Sequence, residues 1–149
     1  MTYCIDTSFF IEGWRRYPPD IFPSFWEKVA DHIVAGHLVS VDEVWEEIKR
    51  KDDELKGWVK NHKHMFAPLD TPTMLKVKEI MSDFPTIVQQ GKDRNSGDVF
   101  VVAYAQTNSL TVVTEEKLNK KNGIPQVCVH YSVEAIDTVT LLRKLAIRF

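Results

Sequence analysis

The chain has 149 residues, a formal net charge of −2, 44% hydrophobic and 27% charged residues. That balance fits one ordinary globular domain spanning 1–149 and excludes a collagen-like, disulfide-stapled or disordered chain. Two cysteines make no disulfide framework. No apolar run approaches the roughly 20 residues that span a bilayer, and Met1-Thr2-Tyr3-Cys4 lacks the pattern of a signal peptide. A cytoplasmic protein with no membrane association is therefore expected. The pI near 6.2 lacks the basic excess of a dedicated nucleic-acid binder. A nuclease stays open, because bound divalent cations can offset an acidic site.

Tyr3-Cys4-Ile5 reads as a short buried strand that ends at Asp6-Thr7-Ser8. Phe9 to Trp14 reads as a helix broken by Tyr17-Pro18-Pro19. Ile21 to Ala35 reads as a second helix, with Phe22, Phe25, Trp26, Val29 and Ile33 at helical spacing and Gly36 as its stop. His37 to Val41 reads as the second strand, followed by a helix over Asp42 to Lys51 in which Ser40 and Glu43 have capping-box spacing. Leu55 to His62 predicts a helix and Met65 to Leu69 a weak strand. Thr71-Pro72 opens a helix to Asp83, with Thr71 as cap. Pro85 to Asn95 reads as loop. Ser96 caps an apolar helix carrying Val99, Val102, Ala103 and Ala105. Thr111 to Thr114 is the clearest strand, and Lys117 to Gly123 a polar connection. Pro125 to Cys128 predicts a last strand and Ser132 to Phe149 a closing helix.

β-rich runs separated by helices predict a parallel sheet covered on both faces, an α/β three-layer α/β/α sandwich with a short central sheet. Ligands in such folds sit beyond the carboxyl ends of the strands, and those ends are acidic here. The first strand ends in Asp6. The helix after the second carries Glu43, Glu46 and Glu47. Asp98 opens the helix leading into the Thr111 strand, and Glu115 and Glu116 follow that strand. Each acid has a plain local explanation as a turn residue, a cap or a dipole partner. Together they need a cation, because converging carboxylates repel and raise one another's pKa. Hard oxygen ligands suit Mg2+ or Mn2+.

These segments resemble the motifs of the PIN-domain family, near its VapC-like toxins. Tyr-Cys-Ile-Asp-Thr-Ser is similar to the family's opening strand with its Asp. Val44-Trp45-Glu46-Glu47-Ile48 is similar to the second motif, Gly97-Asp98-Val99 through Ala105 to the third, and Thr111-Val112-Val113-Thr114-Glu115-Glu116 to the fourth. The match departs at the last acid, where Glu116 stands in place of the usual Asp. Lys117 follows it and is no ligand, leaving Asn119 as the nearby substitute. The resemblance implies a Mg2+- or Mn2+-dependent endoribonuclease. Asp6, Glu47 and Asp98 would be metal ligands and Glu116 would handle water. Ser8, Glu43 and Thr114 would be auxiliaries, and Lys92 and Arg94 would contact RNA. It also implies a cognate antitoxin or regulatory partner and a homodimer.

Two other readings compete. A haloacid-dehalogenase-like phosphatase also places an Asp after its first strand but needs a second Asp two residues on, where this chain has Ser8. A catalytically decayed PIN-like interaction module is favoured by Glu116 and by the absent basic excess. His62 and His64 read as a solvated pair, since a zinc site wants more ligands. Arg15-Arg16 and Lys49-Arg50-Lys51 read as solvated faces.

Overall fold

The computed structural model describes residues 1–85, 97–117 and 123–149. Tyr3–Ile5 forms β1, fully buried and central. It leads through α1 (Thr7–Arg16) and α2 (Pro23–Val34) to β2 (Leu38–Val41). Gly36 closes α2 with φ of 82°, a backbone that costs a glycine little. After β2 come α3 (Asp42–Lys51), α4 (Asp53–Lys60), a 3-10 turn (Lys63–Met65) and β3 (Phe66–Ala67). The chain continues through α5 (Thr71–Asp83), α6 (Asp98–Asn108) and β4 (Thr111–Val113). It ends with α7 (Ile124–His130), β5 (Ala135–Ile136) and α8 (Thr138–Lys144).

The sheet has five strands in the order β3-β2-β1-β4-β5, and each pairing is parallel. The chain therefore runs outward from β1 to β3, then returns to lay β4 on the other side of β1. Right-handed crossovers place the helices before β3 on one face and α5, α6 and α7 on the other. The contacts agree: α1 packs on α3 and α4, whereas α6 packs on α5, α7 and the central strands. The sheet is thus covered on both faces, the three-layer α/β/α arrangement expected. Its buried hydrophobic residues form one cluster, with Phe9 and Phe10 of α1 fully enclosed. Each such side chain contributes about 1.5–3 kcal/mol. Among the described residues, no helix is long and apolar enough to cross a membrane.

Several expectations need correction. Pro125 to Cys128 is not a strand but lies within α7, where Pro125 occupies the first helical turn. A short run rich in Val and Cys cannot be told from a buried helix by pattern alone. Cys128 is accordingly buried in a helix, whereas Cys4 lies in β1; both are free thiols. Ser132 to Phe149 is not one helix. It contains β5 and then α8, capped by Asp137 accepting from Thr140 N–H at 2.8 Å. The cap of α5 is Asp70, which accepts from Thr73 N–H, and not Thr71. Ser40 and Glu43 form no capping box. The cap position of α3 is Val41, and the Ser40 hydroxyl donates instead to Ile5 O at 2.6 Å, tying β2 to β1. The cap position of α6 is Gly97, with no side-chain cap bond, and not Ser96. The loop expected over Pro85 to Asn95 falls largely outside the described residues, as do Asn119 and most of the connection from Lys117 to Gly123.

Candidate active site

The chain reverses its direction of travel across the sheet between β1 and β4, and in folds of this kind the ligand crevice lies beyond the carboxyl ends of the strands at such a switch point. Asp6 is there because β1 ends there. It is the N-cap of α1, only 2% exposed. Its Oδ2 accepts from the Ser8 hydroxyl at 2.7 Å and the Thr114 hydroxyl at 3.0 Å, with Ser8 N–H at 3.4 Å. Those two hydroxyls are in turn fixed by the backbone after β4, which donates Glu115 N–H to Ser8 Oγ and Glu116 N–H to Thr114 Oγ1. Asp6 Oδ1, by contrast, is buried with no hydrogen-bond partner among the described residues. Burial pushes the Asp6 carboxyl up to about 6, helped by the charges of Glu116 and Glu47 and opposed by the two hydroxyls.

Glu47 comes from the middle of α3 and is 4% exposed. Its Oε1 accepts from Gly97 N–H at 2.6 Å and from the Thr7 hydroxyl at 3.1 Å. Its Oε2 lies 3.2 Å from Lys51 Nζ. Gly97 serves here by its size. A Cβ at that position would lie 3.0 Å from Val44 Cγ2 and 3.2 Å from Glu47 Oε1, so a side chain would press on the carboxylate. Thr7 follows Asp6 directly, so a single residue links the two buried acids.

The other expected residues stand as follows. Asp98 is the first residue of α6, half-buried, immediately after the Gly97 N–H that holds Glu47. Glu116 acts on Asp6 electrostatically, while its own Oε2 accepts from Ile124 N–H at 2.7 Å, at the start of α7. Glu43 sits in the first turn of α3, and the charges lifting its carboxyl above the usual range, after burial, are those of Asp42 and Glu46. Ser8 and Thr114 both bond Asp6. Lys92 and Arg94 lie outside the described residues. Burial pushes the Cys128 thiol up to about 12, and Cys4 higher still, so both behave as core hydrophobes.

Three contributors escape the sequence reading: Thr7, the Gly97 backbone and Lys51, the last read as part of a solvated face. The Lys51 pairing had a signal, since Glu47 and Lys51 are four apart on a helix. Glu115 accepts from Thr138 N–H at 3.1 Å and so supports the start of α8.

Whether these residues suit a divalent cation turns on two observations. Among the described residues, no group of three or more His, Cys, Asp and Glu side chains is placed to hold one. Yet Asp6 offers a buried, unpartnered oxygen beside a second buried carboxylate. A carboxylate left so is costly unless a cation or proton satisfies it. The donor chemistry fits Mg2+ or Mn2+, with Asp6 as the oxygen still open.

The family described as "Domain of unknown function (DUF4411)" matches residues 3–149. No curated protein matches the chain significantly. Among solved structures, the chain is similar to VapBC2 from Rickettsia felis bound to a DNA fragment from their promoter, with 12% identity and a TM-score of 0.59 over 92% of this chain and 98% of that one. It is similar to PAE2754 from Pyrobaculum aerophilum at 17% identity and a TM-score of 0.53, covering 99% and 98% of the two chains. FitAcB from Neisseria gonorrhoeae matches at 15% identity and a TM-score of 0.53, covering 91% and 96%. At these identities the likeness is one of fold, and it agrees with the PIN-like sandwich that the motifs imply. The chain belongs to the DUF4411 family, and its three-layer α/β/α fold is similar to the folds of these solved structures.

Proposed function

We propose that the chain is a metal-dependent endoribonuclease that hydrolyses RNA phosphodiester bonds in the cytoplasm, as the toxin of a toxin–antitoxin pair. The observation that carries this reading is the Asp6 carboxylate, buried at the switch point of a parallel sheet with one oxygen unpartnered among the described residues. Asp6, Glu47 and Asp98 are the residues that would hold Mg2+ or Mn2+. When bound, the cation supplies a polarised phosphoryl oxygen and a bound water of lowered pKa. Ser8 and Thr114 fix one Asp6 oxygen and so aim the other. Thr7 and Gly97 N–H fix Glu47. Glu116 orients water once its carboxylate turns from Ile124 N–H, and Lys92 and Arg94 contact RNA phosphates. The partner is an antitoxin covering the acidic crevice with a basic side chain, in keeping with the VapBC2 likeness. The protein is a single domain and acts as a homodimer.

The test is direct. Purified protein with Mn2+ should cut single-stranded or structured RNA, and EDTA should stop it. Asp6→Asn and Asp98→Asn should abolish cutting while the circular dichroism spectrum stays that of wild type. Cutting that survives EDTA, or survives both substitutions, would refute the assignment.

A second reading, a decayed PIN-like interaction module, is favoured by one contact: Glu116 Oε2 already serves the start of α7. Mn2+ that raises the melting temperature while no RNA is cut would select that reading.

A further inference from the structure

The acidic crevice contains a cation of the protein's own. Lys51, the last residue of α3, reaches back one helical turn to place Nζ 3.2 Å from Glu47 Oε2. Its side chain is 47% exposed, against 6% for that of Glu47. The two oxygens of Glu47 are therefore held in different ways. Oε1 is gripped from inside by Gly97 N–H and the Thr7 hydroxyl, neither of which can leave without moving backbone or a buried side chain. Oε2 meets a flexible stem arriving from solvent. Asp6, which feels the charge of Glu47, has a buried oxygen with no hydrogen-bond partner among the described residues. Among the described residues, Glu47 is thus ion-paired while Asp6 has no cationic partner, an uneven state that a second cation would resolve.

We infer that Lys51 is a resident counter-ion for Glu47 which a divalent cation must displace, so that Lys51 sets the metal affinity of the site by competition. This rests on the metal-dependent reading above. An ammonium and a divalent cation cannot both sit on one carboxylate oxygen without strong repulsion. The exchange asks little of the protein. A half-exposed ion pair contributes little to stability, and the released ammonium regains water at once. Until exchange, Lys51 keeps the metal-free crevice from carrying two uncompensated buried charges. In this role it is a positioning residue and touches no substrate.

The experiment titrates Mn2+ into four proteins at constant pH and ionic strength. The dissociation constant is read from the melting temperature and, independently, from the free-Mn2+ electron paramagnetic resonance signal. Lys51→Met keeps the stem and removes the charge. Lys51→Arg keeps a charge. Lys49→Met removes the same charge from a lysine paired with Glu46, which gives the baseline for long-range electrostatics. Lys51→Met should bind Mn2+ up to about fivefold more tightly than wild type, well beyond the change in Lys49→Met, and Lys51→Arg should stay near wild type. If Lys51→Met equals wild type or the Lys49→Met baseline, the competition is overturned while the metal reading stands. Weaker binding by Lys51→Met also overturns it and makes Lys51 a support for Glu47. If no protein responds to Mn2+, the metal reading falls, and the displacement falls with it, leaving a fixed salt bridge.

Discussion

Asp6 and Glu47 are two buried carboxylates one residue apart through Thr7, yet the protein treats them in opposite ways. Glu47 is compensated by a backbone N–H, a hydroxyl and a lysine. Asp6 receives only neutral hydroxyls and a weak backbone contact on one oxygen, and nothing among the described residues on the other. Charge-assisted pairing is the ordinary way to keep a buried acid, so Glu47 reads as part of the fold's own stability. Asp6 reads as a group kept at a cost for something that binds it.

The largest test of the contrast is Glu47→Ala. It strands the buried Gly97 N–H and the Thr7 hydroxyl, and should lower the unfolding free energy by about 2–3 kcal/mol in metal-free urea melts. A near-neutral result would mean that Glu47 too is held at a cost. Asp6→Asn should act with the opposite sign. The folded-state pKa of Asp6 is raised, from 3.8 to about 6. Its ionisation therefore penalises the folded state, by an amount absent below pH 4, growing between pH 4 and 6, and constant above. Asparagine removes that penalty, so the metal-free variant should gain about 3 kcal/mol at pH 7.5 and nothing near pH 4. A gain that does not depend on pH would show that the charge is not its source. Metal should show the reverse dependence in wild type, because a cation needs Asp6 ionised: the Mn2+-induced rise in melting temperature should shrink as pH falls through 6. The smallest effect belongs to Thr114→Val. It deletes a donor to Asp6 and an acceptor for Glu116 N–H at nearly constant volume, for about 1 kcal/mol. Hydrogen exchange should quicken at Glu116 N–H; protection equal to wild type would argue that the Thr114 bridge is dispensable.

Much of this geometry was legible in the chain. Apolar runs stop abruptly at Asp6 and at Thr114-Glu115-Glu116, and a parallel sheet places such stops on one edge. That logic placed Asp6 at the end of β1 and Asp98 at the start of α6, with Glu47 on the helix after β2. It worked because burial on both faces leaves an unmistakable apolar run. What stayed hidden depends on direction within an element. Spacing puts Glu116 beside the crevice, but only coordinates reveal that its carboxylate turns toward Ile124 N–H. Ser40 had the spacing of a capping box, yet β2 runs one residue further and points the hydroxyl at Ile5 O. Isoleucine, valine and cysteine in α7 imitated a strand, although Gly123-Ile124-Pro125 carries the glycine and early proline of a helix start.

The bond from Thr114 to Asp6 closes a separation of 108 residues, and that distance has a meaning in time. A ribosome adds about 5–20 residues per second, so the nascent chain carries Asp6 for on the order of ten seconds before Thr114 exists to receive it. Neither β4 nor the hydroxyl bridge can form in that interval, and the first strand waits with one side unpaired. The half of the switch-point site that β1 carries is thus made well before the half that β4 completes.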